Sequence, residues 1–288
     1  MNAPAAAPTR FTVNRTTHAL WRVTFDNPPI NLIDPTMIVE LHALLDEIEG
    51  ADGPAVVVFD SADPDYFLAH YDVAAGTSPF DALPAVPTPF HHWAKFLIRL
   101  SKSPAVTIAA IRGRARAAGS EMTLAADIRF ASRERAVLGQ FEAAFAAAPG
   151  GGPSTRLAGL VGRGRALEIL LGADDFDGDL AERYGYVNRA IPDAEFEDFV
   201  DAFAERVSRF DRLALTDIKR FVNAASLPAD GALTAEMDAF AAALGRPSTP
   251  ALLEQAFEHG FQQRSDLERD LGAWVTNLAT EPTTSVAG

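Results

Sequence analysis

Apolar positions along this chain fall into two regimes. From about Phe11 to Asn188, short apolar runs alternate with stretches whose apolar residues recur every three or four positions. Leu20-Trp-Arg-Val-Thr-Phe25 alternates as a half-buried strand does, whereas Ala55–Phe59, Ala105–Ala110 and Ile128–Ala131 are nearly continuous and read as buried strands. Asp34-Pro35 places a capping carboxylate before a first-turn proline, and the helix that follows carries Ile38, Leu41, Leu44, Leu45 and Ile48 on one face. Strand, helix and strand in repetition predict right-handed crossovers and a largely parallel sheet, an α/β fold.

From about Pro192 the spacing is helical throughout. Phe196, Phe199, Val200, Phe203 and Val207 form one stripe, Ile218, Phe221 and Val222 a second, and Thr249-Pro250 opens a further helix. Faces this apolar must cover either the sheet or a neighbouring subunit. The expected organisation is a loose tail over residues 1–10, an α/β core over 11–191 and a C-terminal helical region over 192–288. Residues 63–89, rich in proline, glycine and serine, read as an irregular loop with a short helix, and a loop this long in a compact domain is often functional.

Composition narrows the function classes. Nearly half of the 288 residues are hydrophobic, enough for one large core, and cysteine is absent, so disulfides, thiolate nucleophiles and cysteine-built metal sites are excluded. A formal net charge of -14 makes nucleic acid and anionic membranes poor partners, and an anionic substrate would need a local basic cluster. The first residues lack a basic patch followed by an apolar stretch, and no apolar run has the ~18 residues needed to span a bilayer, so the expected location is the cytoplasm.

Candidate chemistry concentrates after the third apolar run, in Ile111-Arg-Gly-Arg-Ala-Arg-Ala-Ala-Gly-Ser-Glu121. Small residues at Ala117, Ala118 and Gly119 permit close approach of a ligand to the backbone. A helix from Gly119 to Ala126 would aim free N–H groups at it, with Glu121 in its first turn; tight helix packing explains the same residues equally well. Leu138-Gly-Gln-Phe-Glu142 follows, then Pro149-Gly-Gly-Gly-Pro153. Among Phe141, Phe145 and several alanines, Glu142 is either a buried carboxyl holding its proton as a general acid requires, or a surface member of a helix. His70, in Asp65-Tyr-Phe-Leu-Ala-His-Tyr-Asp72, reads as a base or as a structural residue. Arg112, Arg114 and Arg116, with Lys219 and Arg220, are candidates for phosphate binding or for ion pairs within an acidic protein.

The order of these segments resembles the crotonase (enoyl-CoA hydratase/isomerase) superfamily from about Arg22 to Asn223. Asp26-Asn-Pro-Pro-Ile-Asn31, Phe67–Asp72, Gly113–Glu121, Leu138–Glu142, Leu171-Gly-Ala-Asp174, Ala181–Asn188 and Lys219–Asn223 match its pattern in sequence order. The resemblance implies a ββα spiral core with a C-terminal helical region, assembly into homotrimers or homohexamers, and an acyl-CoA substrate with no separate cofactor and no metal. It further implies oxyanion-hole N–H groups from Tyr71 and Ala118, catalytic Glu121 and Glu142, and an acyl pocket touching Ala69, His70, Asp72, Gly119, Phe141 and Phe145.

In family hydratases the first glutamate activates water and the second protonates the α-carbon. Retention of both favours hydration of a 2,3-unsaturated acyl-CoA over isomerisation. This chain departs from the pattern at Ala117-Ala118-Gly119 in place of three glycines, at His70-Tyr71 in place of a small pair, at Phe141 in place of proline, and over Ala143–Ala148. Those departures flank the expected pocket and leave isomerisation, thioester or C–C hydrolysis and decarboxylation as alternatives on one scaffold.

Overall fold

The computed structural model describes residues 9–278. Among these residues ten strands form two sheets: β1 (Phe11–Asn14), β2 (Leu20–Phe25), β3 (Val56–Ser61), β4 (Tyr66–Leu68), β5 (Val106–Ile111), β6 (Arg114–Arg116), β7 (Ile128–Ser132), β8 (Val137–Gly139), β9 (Asp175–Asp177) and β10 (Arg189–Ile191). The larger sheet runs β1-β2-β3-β5-β7-β10, antiparallel only at β1–β2. The smaller runs β4-β6-β8-β9, parallel except at β9.

Consecutive strands β3/β4, β5/β6 and β7/β8 enter different sheets, so each turn of the chain adds one strand to each layer. This is the ββα spiral that the resemblance implies. The change of sheet after β5 occurs at Gly113, where φ is +92° and a Cβ would lie 2.5 Å from the Asp65 carbonyl carbon, a position only glycine fills.

Around the sheets lie helices α1 (Pro35–Glu49), α2 (His91–Lys102), α3 (Ala118–Ala125), α4 (Pro153–Val161), α5 (Arg163–Gly172), α6 (Gly178–Tyr184), α7 (Asp193–Ser208), α8 (Arg212–Ser226), α9 (Asp230–Ala243) and α10 (Ser248–Glu258), followed by single helical turns at Asp266–Arg269 and Leu271–Trp274. Asp34 caps α1 by accepting from the Met37 N–H, and the five predicted apolar residues of that helix are all buried. Phe196 and Val200 of α7 pack with Val56, Val58 and Ile108 on the outer face of the large sheet. No helix among the described residues is long and apolar enough to cross a membrane.

Some expectations are narrowed or corrected. The 63–89 segment is not all loop: Tyr66–Leu68 forms β4, a strand too short to show a period. Of the two surfaces expected for the stripe of Ile218, Phe221 and Val222, the sheet of its own chain is not the one covered: the three are 57–66% exposed, because α8 turns Lys219 inward onto Asp127 and the Ala105 carbonyl. Of the tail expected over 1–10, residues 1–8 lie outside the described residues, and Arg10 is tied to α1 through Asp34 and Glu40.

Candidate active site

Helix α3 starts where β6 ends. Ala117 takes φ +43° and ψ -119°, a positive-φ conformation that costs a residue with a Cβ of order 1–3 kcal/mol. That twist ends the strand and starts the helix at Ala118. As the first helical residue, Ala118 has an N–H with no intrahelical acceptor, and it has no hydrogen-bond partner among the described residues. Across from it, the segment after β4 is pinned to Ile33: the Ile33 N–H donates to the His70 carbonyl, and the Asp72 N–H to the Ile33 carbonyl. In such a parallel bridge the middle residue turns its own N–H away from its partner. The Tyr71 N–H is accordingly unpaired among the described residues.

Both residues line one cleft, together with Glu121, Glu142, His70 and a set of aromatic and aliphatic side chains. Helix α2 contributes Trp93, α9 contributes Met237 and Phe240, and α10 contributes Leu253. The cleft is thus closed by the helical region, and its lining carries no lysine or arginine.

Glu121 is 3% exposed and both its carboxylate oxygens are engaged. Oε2 accepts from the Trp93 indole at 2.8 Å and Oε1 from the Gly151 N–H at 2.6 Å. Burial pushes its carboxyl up to about 7, and these two donors hold it from rising further. Glu142 opens a 3₁₀ turn (Glu142–Phe145) and is 7% exposed, so the alternative of a surface helix position is ruled out. Burial first, then the nearby charge of Glu121, pushes its carboxyl well above the ordinary range. Its neighbour is Gln140, which in the orientation that satisfies both of its amide atoms donates to the Glu142 carboxyl at 3.1 Å and accepts from Ser120 at 3.1 Å. Ser120 is hydrogen-bonded in turn to Tyr186. Glu121 therefore ionises near neutrality with two fixed donors on its carboxylate form, and Glu142, with no such pair of donors, is pushed up further and is the more reluctant to ionise: a base beside an acid.

Seven of the ten expected site residues line this cleft: Tyr71, Ala118, Glu121, Glu142, His70, Phe141 and Phe145. Three do not. The Ala69 backbone is bonded to Asn31 and Arg116, and the Asp72 carboxylate caps the Ala74 N–H. Gly119 faces β4, where a Cβ would lie 1.9 Å from the Leu68 carbonyl oxygen.

The arginines are committed elsewhere. Arg112 pairs with Asp193 and Arg116 with Asp175, while Arg114 donates to the Arg269 carbonyl. Lys219 is paired with Asp127, and Arg220 with Asp217.

Residues not anticipated from the sequence are Trp93, Gly151, Gln140 and the residues from α9 and α10. For Gly151 the triple glycine is the available signal. A Cβ there would lie 2.2 Å from Glu121 Oε2, so the glycine is required by close approach and not by turn flexibility.

A family model described as Enoyl-CoA hydratase/isomerase matches residues 15–246. The ethylmalonyl-CoA decarboxylase of Danio rerio is 29% identical over 248 residues, covering 82% of this chain and 80% of that protein. The short-chain-enoyl-CoA hydratase of Clostridium acetobutylicum is 27% identical over 255 residues, covering 84% and 94%. A crystal structure from Streptomyces avermitilis, provisionally named an enoyl-CoA hydratase, is 43% identical with a TM-score of 0.89, covering 96% of this chain and all of that one.

Proposed function

The chain belongs to the enoyl-CoA hydratase/isomerase family and is an enzyme of that type; from that premise we propose that it adds water across the double bond of a 2,3-unsaturated acyl-CoA with an apolar acyl group. The observation that carries this reading is the unequal pair of carboxyls in one cleft. Glu121, held as a carboxylate by Trp93 and Gly151, takes a proton from water as the water oxygen bonds to the β-carbon. Electrons of the double bond move onto the thioester oxygen, where the N–H groups of Tyr71 and Ala118 receive the developing charge. A donor of this kind contributes about 2.7–4 kcal/mol where measured. Glu142 then delivers its proton to the α-carbon and the carbonyl reforms. The water is consumed whole, and the reaction calls on no cofactor beyond the CoA carried by the substrate. Glu142 is left a carboxylate and Glu121 protonated, so one proton passes between them to restart the cycle.

Decarboxylation, the activity in the name of the Danio rerio relative, has less support. A second carboxylate on the acyl group would enter a cleft lined by Glu121 and Glu142 with no lysine or arginine to receive it, and its one histidine is already bonded to Glu268.

Incubation with a panel of acyl-CoA esters separates the chemistries by mass: gain of one water for hydration, no change for isomerisation, loss of CoA for thioester hydrolysis, loss of carbon dioxide from a malonyl-type ester. Water gain on medium apolar 2-enoyl esters is expected, with kcat/KM falling about tenfold per pH unit below about 7 as Glu121 gains its proton. Water gain with no acid limb between pH 6 and 8 would remove Glu121 as the base.

The exposed ridge on α8, with Leu213, Ile218, Phe221 and Val222, supports assembly into three or six copies.

A further inference from the structure

Beyond α10, the chain folds back over the segment that carries Tyr71. Glu268 is fully buried and accepts from His70 Nε2 at 2.8 Å and from the Gln262 N–H at 2.8 Å. The Gln262 side-chain amide donates to the Tyr71 carbonyl at 3.0 Å, the same oxygen that His70 Nδ1 reaches at 3.1 Å. The His70 ring lies flat on Phe261, with centroids 4.5 Å apart and planes 6° apart, and Phe141 meets it edge-on. Arg116 donates to the Glu268 carbonyl at 2.6 Å and is itself held by Asp175 next to β8, which anchors the whole arrangement in the smaller sheet.

We propose that His70, Glu268 and Gln262 form a clasp that fixes the Tyr71 peptide so that its N–H stays aimed at the thioester oxygen, making residues 261–268 part of the catalytic apparatus. The inference rests on the oxyanion role proposed for Tyr71 and not on hydration as such. Its basis is where the hydrogen bonds go. The carbonyls of Ala69, His70 and Tyr71 and the N–H of Asp72 are all engaged, and two donors converge on the one carbonyl belonging to the residue whose N–H is free.

Both nitrogens of His70 face acceptors, the Tyr71 carbonyl and the Glu268 carboxylate. Burial alone would push the Glu268 carboxyl up, but His70 and the Gln262 N–H hold it below the ordinary range. A buried ion pair is seldom more stabilising than well-packed apolar residues of similar volume. Stability alone therefore gives little reason for this pair beside the cleft, whereas orientation of a peptide does.

The experiment compares the wild type with Glu268→Gln and with the apolar double variant His70→Phe/Glu268→Leu. Readouts are kcat and KM on the best thioester, melting temperature, and the near-ultraviolet enolate band of bound acetoacetyl-CoA, whose enolate places charge on the same oxygen. Glu268→Gln replaces the charged partner of His70 Nε2 with a neutral amide and so loosens the ring's hold on the Tyr71 carbonyl. We expect kcat to fall about ten- to hundredfold with KM changed less than about threefold, and the enolate band to weaken in step. The double variant is expected to regain wild-type melting temperature but neither kcat nor the band.

Wild-type kcat and enolate band in the double variant would overturn the proposal, since the pair would then serve only packing. If the double variant does not fold, Glu268→Gln decides alone: a folded protein with kcat and band within twofold of wild type overturns the clasp. If the wild type hydrates no ester yet enolises acetoacetyl-CoA, hydration is lost and the clasp is still read from the band. Absence of the band in the wild type overturns the oxyanion assignment and the clasp together.

Discussion

Glu142→Gln is expected to lower kcat on an enoyl thioester by about a thousandfold while making the folded protein more resistant to heat above neutral pH. The first half follows from the proposed role: a glutamine has no proton to give the α-carbon, and positioned proton transfer contributes about 10²–10⁴. The second half follows from linkage. Burial and the charge of Glu121 raise the carboxyl of Glu142 in the folded state above its unfolded value. A carboxyl shifted upward contributes stability that is complete below the unfolded pKa and is lost as pH rises through the folded one. The wild type therefore loses stability on going from pH 5 to pH 8, and the variant, with nothing to titrate at that position, loses less. The substituted amide can still bond to Gln140, so a collapse of the cavity is not expected.

Activity and melting temperature measured on the same preparations at pH 5, 7 and 8 check both halves. A variant that keeps more than a tenth of wild-type kcat would show that the α-carbon proton comes from elsewhere. A variant that melts lower than the wild type at pH 8 would show that the carboxyl is not strained by its burial. Glu121→Gln completes the comparison: hydration needs a base for water and should also fall about a thousandfold, whereas an isomerisation resting on Glu142 alone would largely survive.

How much of this can be read from the chain depends on the range of each interaction. Buried strands such as Val56–Ser61 and Val106–Ile111 declare themselves because both faces are covered and the apolar run is continuous. Helix α1 declares itself through a cap and a stripe. The two glutamates are legible in the order of short motifs, and the structure brings them into one cleft. What escapes is long-range or too brief to show a period. Nothing near Trp93 says that its indole reaches Glu121, 28 residues away, and Glu268 meets His70 across 198. Strand β4 has three residues, and an exposed apolar ridge on α8 has the same spacing as a buried one. Gly119 reads as a ligand contact because a glycine beside a binding segment and a glycine beneath a strand leave the same letter.

That last distinction has a measurable consequence. Gly119→Ala is expected to destabilise the protein by about 1–3 kcal/mol or more and to cost at least a hundredfold in kcat/KM in whatever fraction still folds. The new Cβ would lie 1.9 Å from the Leu68 carbonyl oxygen and 2.8 Å from its carbon, and both are main-chain atoms of β4 that no rotamer change can move. Helix α3 would have to retreat from β4. Since Ala118 sits at the start of that helix and Tyr71 three residues past the end of that strand, retreat separates the two amides that are proposed to hold one oxygen.

Gly151→Ala provides the contrast. Its Cβ would meet the Glu121 carboxylate at 2.2 Å and a Leu97 methyl at 2.7 Å, both ends of side chains that can rotate aside. It should therefore fold with a smaller loss of stability, yet still lose hydration, because the swing that accommodates the methyl takes Glu121 off its two donors. Bound acetoacetyl-CoA separates the two cases. Gly151→Ala should keep the enolate band, its oxyanion donors being untouched, whereas Gly119→Ala should lose it. A Gly119→Ala protein with a wild-type melting temperature and a full enolate band would mean that α3 does not rest on β4 as the structure has it, and the convergence of the two amides would lose its foundation.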